Sequence, residues 1–427
     1  MRGFACIFFV VLVLSVGVQL FEHVRAEPAV LAVPDDFSTI QEAINNAIDG
    51  DTIFVKAGTY YEHVFVNKSI SLQGEDVRTT IIDGNDTGNV VYIVRNDVNI
   101  TGFTIRNSGH RWNAGIWLDS APDSQIHSNN ITGNNYGVLL YSSSPRVSIL
   151  DNTIASNEFG VRVASGGSDY LNVSDNVVMN NRGYGVGLMG PSIGSNNATI
   201  ANNLIMNNGY GIALGPYYSK YNTISRNNII MNDCGLYIEY STENMIYSNN
   251  FVDNVLQVNV HISTIQSASG IHIVNPSANA WDNGYPSGGN YWSDYSGADA
   301  YKGFYQNETG SDGVGDTPVV LVSRADIPVV LRENNTDRYP LTAPWTEILG
   351  PVGDVNGDGK VDMKDIGYVA RRFMCLPGEG LWDPGADLNG DGRINMLDIG
   401  IAFVARSARL RQDTSVNTLP SIAHVLS

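Results

Sequence analysis

Cysteine is nearly absent. The 427 residues hold three, and Cys6 lies in an apolar run near the start. Cys234 and Cys375 alone cannot form the disulfide framework of a small secreted scaffold. Basic side chains are scarce as well: 25 Lys and Arg stand against 43 Asp and Glu, a formal charge of −18. That balance excludes a binder of nucleic-acid phosphates or of anionic membrane surfaces, since both need basic patches. Histidine is sparse and scattered. Beyond His23 in the leader, His63, His110, His127, His261, His272 and His424 include no His-x-His pair, and no methionine cluster accompanies them. Copper favours grouped imidazole and sulfur donors, so the pattern argues against a copper site. Long apolar runs are missing too. The longest, residues 4–18, spans 15 positions, short of the ~20 needed to cross a bilayer. With Arg2 before it and Val24-Arg25-Ala26 after it, residues 1–26 read as a signal peptide of an exported protein, with an uncleaved anchor as the alternative. Eight Asn-x-Ser/Thr sequons, at Asn67, Asn85, Asn99, Asn130, Asn172, Asn197, Asn307 and Asn334, add weak support for export.

What is present is a repeat. The phrase IHSNNITGNNYGVLL at residues 126–140 returns at Ile149, Val173, Ile200, Ile224 and Ile246. Its first asparagine falls at Asn129, Asn152, Asn176, Asn203, Asn227 and Asn249, in steps of 23, 24, 27, 24 and 22 residues. Such a period marks a solenoid. Each coil holds about three short strands with Gly and Asn turns and no helical pattern between them, which suits a parallel β-helix. Ile126, Ile131, Val138 and Leu140 are expected to face inward. The asparagines are expected to stack as an amide ladder, each bonding the next. Gly137, Gly160, Gly185, Gly211 and Gly235 are read as positions with a backbone that other residues resist. Counted back from Val138, alternation puts Tyr136, Phe159, Tyr184, Tyr210 and Cys234 inside, as an internal aromatic stack, with a sugar-binding platform as the alternative reading of the column. The outward columns are then Trp117, Leu139, Arg162, Gly187, Ala213, Tyr237 and Asp119, Tyr141, Ala164, Met189, Gly215, Glu239. Before the repeat, Ile40, Ala43, Ile44 and Ala47 have helical spacing behind an N-cap, as expected of a capping element over residues 27–66. After it, residues 262–344 lose the phrase, and Trp281, Trp292 and the nearby tyrosines are expected to close the far end. Asp312-Gly-Val-Gly-Asp316 matches no standard calcium loop and reads as a turn.

The opening STIQEAINNAIDGDTIFVKAGTYYEHV and the N-x-Y-G-I/V-x-L phrases resemble right-handed parallel β-helix proteins of the pectin-lyase-like superfamily. The similarity is strongest to the NosD-like group with its carbohydrate-binding and sugar-hydrolase type repeats, and extends over about residues 33–344. It implies the fold. It leaves activity open, because this superfamily hosts lyases, esterases, epimerases, glycosidases and non-enzymes.

A linker at 345–352 leads to the most specific chemical motif. Asp354, Asn356, Asp358, Lys360, Asp362 and Asp365 occupy positions 1, 3, 5, 7, 9 and 12 of an EF-hand-type loop, with Gly359 at the sharp turn. The loop returns 33 residues later as Asp387, Asn389, Asp391, Arg393, Asn395 and Asp398. Hard oxygen donors at this spacing suit Ca²⁺, one ion per loop. A helical pattern follows each loop, beginning at Ile366 and at Ile399. This pair of loop-helix units, over residues 353–407, resembles a type I dockerin. The resemblance implies an all-α module folded by two calcium ions and bound to the cohesin domain of a scaffold protein. It assigns the cohesin contact to loop positions 10 and 11, here Met363-Lys364 and Met396-Leu397 instead of the Ser-Thr pairs of some members. Residues 408–427 form a tail.

The solenoid offers no obvious catalytic group. Asp119 and Glu239 are five coils apart, about 24 Å at strand spacing, beyond the ~5–9.5 Å of paired glycosidase carboxylates. The loop residues His110, Arg111, Asp123, His127, Asp169 and Lys220 are the remaining candidates, read as solvated charges. The sequence therefore reads as a secreted, polysaccharide-associated β-helix carried on a dockerin, with Trp117, Tyr141 and Tyr237 as outward rings for stacking on sugars. A polysaccharide lyase, epimerase or glycoside hydrolase of the same fold is the enzymatic alternative, and a structural surface-layer protein the third.

Overall fold

A computed structural model describes residues 27–345, except 165–166, 191–193, 216–218, 262–263, 268–269, 274–277 and 323–334, together with 363–375, Leu381, Ala386, Arg393 and Ile394. The repeat winds into three long parallel sheets, and each coil gives one strand to each. Sheet A has ten strands from Val30–Val33 to Met245–Tyr247. Sheet B has ten from Gly58–Tyr60 to Tyr291–Trp292. Sheet C has nine from Val64–Val66 to Leu256–His261. The expected solenoid is therefore the observed fold.

Register follows the phrase. Ile126, Ile149, Val173, Ile200, Ile224 and Ile246 lie opposite one another in sheet A, all fully buried. Ile131, Ile154, Val178, Ile205, Ile229 and Phe251 do the same in sheet B. Each such side chain contributes about 1.5–3 kcal/mol of transfer free energy. A one-residue slip would turn the column to solvent, which is why the register is unique.

The asparagines sit at the corner between sheets A and B. Asn129, Asn152, Asn176, Asn203, Asn227 and Asn249 each donate through Nδ2 to the Oδ1 of the next rung at 2.9–3.1 Å, and Asn249 donates to Asn290. A second ladder, not anticipated, runs at the corner between sheets B and C. Asn134, Asn157, Asn181, Asn208, Asn232 and Asn254 donate in the same sense, and the last donates to Gln257. The residue before each first-ladder asparagine is left-handed: Ser128, Asp151, Asp175, Asn202, Arg226 and Ser248 have φ of 52–60°. That conformation is unfavourable for an L-residue by about 1–2 kcal/mol, and the fully bonded rungs hold it.

Both ends are closed. Helix α1 (Ile40–Asn46) covers the first coil with Ile40, Ala43 and Ile44. Thr39 caps it by accepting from Glu42 N at 3.1 Å, and the Glu62 carboxylate accepts from Ile40 N and Gln41 N at 3.0 Å. At the far end Trp292 stacks on Phe251 at 4.5 Å and 8°, with Trp281 beside it. Both tryptophans are buried in the main core, as expected. Helix α2 (Met363–Ala370) lies in the C-terminal module. Val369 is buried with Ala386 and Ile394, while Ala370 and, after the helix, Phe373 are exposed. Among the described residues no helix is long and apolar enough to cross a membrane.

Candidate functional site

The outer face of sheet C carries the columns read as outward from the sequence. Its central column runs Phe65, Tyr92, Trp117, Leu139, Arg162, Gly187, Ala213, Tyr237, in register from strand to strand as the sequence alignment of coils implied.

The neighbouring column corrects the sequence reading. Tyr136, Phe159, Tyr184 and Tyr210 lie on the outside, and Tyr210 is 38% exposed. Tyr136 clusters with Leu139, Ala164, Trp117 and Phe159, apart from the core. The cause is the glycine between. Gly137 and Val138 both face inward, so simple alternation fails there. A Cβ on Gly137 would lie 2.9 Å from Ile154 Cγ2 and 3.2 Å from Asn157 Nδ2, both interior groups. These glycines are needed for space and not, as expected from sequence, for a positive φ: none of Gly137, Gly160, Gly185 and Gly211 has one. A Cβ on Gly185 would meet the Gly211 carbonyl oxygen at 2.7 Å.

The outer rings make a continuous ladder along the solenoid. Trp112, Tyr136, Phe159, Tyr184, Tyr210 and Tyr237 follow one another with centroids 5.0–5.9 Å apart. A second run, Phe65, Tyr92, Trp117 and Tyr141, lies beside it at 4.9–6.1 Å. Offset and tilted rings at this spacing attract by about 0.5–1.5 kcal/mol per pair beyond burial. Arg162 packs on the first run. Its guanidinium lies 5.4–5.7 Å from the ring centres of Trp112, Tyr136 and Phe159, and Nη1 donates to Tyr136 Oη at 3.0 Å.

Of the three rings singled out from sequence, Trp117 and Tyr141 are brought together at 4.9 Å, and Tyr141 is 40% exposed. Tyr237 stands farther along the face and reaches the ladder through Tyr210. The sequence reading missed Trp112, 54% exposed and stacked on Tyr136, because it lies in the loop before the strand.

The hydroxyls of Tyr136, Tyr184 and Tyr237 hold their protons more tightly than usual. Burial raises the pKa of Tyr136 and Tyr184, with Arg162 pulling the other way. Burial and then the Glu239 charge push Tyr237 up strongly. At neutral pH they are hydrogen-bond donors and acceptors, not bases. Asp119 accepts from Tyr92 Oη at 2.9 Å.

The loop candidates are dispersed. Asp123 is paired with Arg146, Lys220 with Glu243 at 3.2 Å, Asp169 accepts from Asn196 N at 2.8 Å, and His127 contacts Thr101 Oγ1. His110 and Arg111 share the exposed turn before Trp112. Asp312 accepts from Gly303 N and Val314 N, and Asp316 from Ala300 N and Tyr301 N, the bonding of loop turns. Among the described residues no three His, Cys, Asp or Glu group as metal ligands.

The two loops expected to hold calcium fall mostly outside the described residues. Asp354, Asn356, Asp358, Lys360, Asp362, Asp387, Asn389, Asp391, Asn395 and Asp398 lie there, as do Met396 and Leu397. Met363, Lys364 and Asp365 open α2, with Lys364 exposed, and Arg393 is exposed. Met374 N donates to Ile394 O at 2.7 Å, tying the end of the first unit to the second loop.

Residues 44–190 and 145–297 match the family described as periplasmic copper-binding protein (NosD), and residues 352–402 match the dockerin type I domain. Among solved structures, pectate lyase Pel9A is 13% identical with a TM-score of 0.44, covering 64% of this chain and 82% of its own. The A-module of the Azotobacter vinelandii mannuronan C-5 epimerase AlgE6 is 14% identical, TM-score 0.43, over 55% and 78%. Alginate lyase from Paenibacillus sp. str. FPU-7 is 14% identical, TM-score 0.38, over 55% and 94%. Likeness at this level carries no argument about activity. No curated protein matches the chain.

Proposed function

Because the chain belongs to the NosD family and carries a type I dockerin domain, we propose that it is a polysaccharide-binding subunit delivered to a cohesin-bearing extracellular assembly. One observation carries the glycan half of this reading: the outer face of sheet C is a run of aromatic rings, with Phe65, Trp112, Tyr141 and Tyr210 each at least 38% exposed. Ring faces suit the C–H faces of sugars, and the neutral tyrosine hydroxyls suit their O–H groups. Trp112 and Tyr141 lead the stacking, Trp117 supports Tyr141, and Tyr237 extends the face.

The dockerin half rests on the donor set. Asp354, Asn356, Asp358, Lys360 carbonyl, Asp362 and Asp365, with their counterparts Asp387 to Asp398, are hard oxygens that fit two Ca²⁺ ions. Bound calcium would order the loops and present Met363-Lys364 and Met396-Leu397 to a cohesin. The leader at 1–26, the solenoid with its caps at 27–344, the linker at 345–352 and the dockerin at 353–407 are the matching division of the chain. The described residues do not fit copper: His63 bonds Asn89 O and Thr87 Oγ1, His127 contacts Thr101, and His261 lies against Tyr240.

The test is retention of the full chain, with calcium, on a glycan array, beside the variant W112A/Y141A. Retention that the variant loses supports the reading. Retention by both, or by neither, moves binding off this face. Release of reducing sugar or of an ultraviolet-absorbing unsaturated product would replace it with the hydrolase or lyase.

A further inference from the structure

Sheet B has an outer face unlike that of sheet A. Where the outward positions of sheet A carry Gln125, Ser148, Thr199 and Thr223, those of sheet B turn apolar: Val177, Met179, Leu204, Met206 and Ile230. These side chains alternate with the core residues Val178, Ile205 and Ile229, so they point away from the core. They form a cluster of their own. Met179 is 1% exposed, Met206 3% and Leu204 4%, values of an interface and not of an open sheet face.

The chain itself returns to this face. Having closed the far end, it is tied to the outward side chain of Asn250, on the sheet B strand Asn250–Val252. Trp345 N donates to Asn250 Oδ1 at 2.7 Å, and Asn250 Nδ2 donates to Trp345 O at 3.0 Å. The Trp345 ring lies 5.5 Å from the Arg226 guanidinium, one coil back toward the N terminus. The next residues are Thr346-Glu347-Ile348-Leu349-Gly350-Pro351-Val352. Leu204 is two strands from Asn250, about 10 Å. Three extended residues span about 10 Å, so a segment that leaves Trp345 along this wall is long enough by its third residue to span the distance to Leu204 and Met206.

We propose that the apolar strip on the outside of sheet B is the seat of the linker, residues 346–352, which is laid along the solenoid wall. The dockerin is then delivered from the side of the solenoid, away from the aromatic face of sheet C, so that scaffold and glycan do not compete for one surface. This inference is independent of what the aromatic face binds.

Peroxide oxidation of the full chain, read by peptide mass spectrometry, tests it. Met179 and Met206 should oxidise many-fold more slowly than Met245, which is 40% exposed. The linker variant I348E should speed oxidation of Met206 several-fold and leave Met245 unchanged. An unchanged Met206 rate in I348E and in I348E/V352E overturns the proposal. Protection that disappears on dilution overturns it as well, since a second copy would then be the cover.

Discussion

Asp337 ends the asparagine ladder as a carboxylate: its Oδ2 accepts the backbone N–H of Asn290, the last amide rung, at 2.8 Å. Trp292 Nε1 donates to the same oxygen at 2.9 Å and Tyr339 N to the other at 3.2 Å. Every rung donates toward the C-terminal end, so the last amide needs an acceptor that gives nothing back. The buried Asp337 carboxyl oxygen under the cap supplies it.

That placement predicts a pH dependence. Burial pushes the Asp337 pKa up to about 7 despite its donors, above the ~3.9 of an unfolded aspartate. The unfolded chain therefore releases this proton first as pH rises. Stability is greatest below about pH 4 for this group and is lost as pH climbs through 7. The thermal midpoint should fall between pH 5 and pH 8, and D337N should flatten the profile while lowering stability at pH 5. A profile with the same slope in D337N would assign the effect elsewhere.

The interior of the ladder predicts a large local cost. Asn203 Nδ2 donates to Val173 O, Ala201 O and Asn227 Oδ1, and its Oδ1 accepts from Asn176. N203A strands several buried groups at about 1–3 kcal/mol each. Denaturant unfolding should show a loss of several kcal/mol. The exposed N67A should stay within about 0.5 kcal/mol.

Space, not backbone angle, governs the glycine column. In G185A the new methyl would meet Gly211 O at 2.7 Å and Asn208 Nδ2 at 3.0 Å. Overpacking of this kind costs about 1–3 kcal/mol. Because φ is ordinary there, the loss should come with full retention of far-ultraviolet strand signal and a lower midpoint. A neutral G185A would mean that the neighbouring coil yields.

Much of this was legible in the sequence, because a repeat aligns its own coils. Ile126 through Ile246 and Trp117 through Tyr237 stack in the register that alignment implies. The aromatic column went to the wrong side since period-two alternation was carried through Gly137, a residue with no side chain to point anywhere. The signal for the correct side was present: a glycine fixed beside an interior column leaves no room for a ring. The second ladder was likewise in the phrase, at Asn134 and its equivalents, hidden by its similarity to ordinary turn asparagines. Asp337 could not be found this way. It lies 47 residues from Asn290, outside the period.

Calcium is the remaining lever. The loop oxygens from Asp354 to Asp398 carry many carboxylates close together, and without a cation they repel. A ligand at one hundred times its Kd stabilises the folded form by about 2.7 kcal/mol, and metal binding at such loops is coupled to folding. Calorimetry of the full chain should therefore resolve a transition that calcium raises and chelator lowers, beside a solenoid transition that responds to neither. D358A and D391A should each weaken the response, and together abolish it. If the small transition ignores both calcium and the double variant, the loops are acidic turns, and capture by a cohesin should then be insensitive to chelator too.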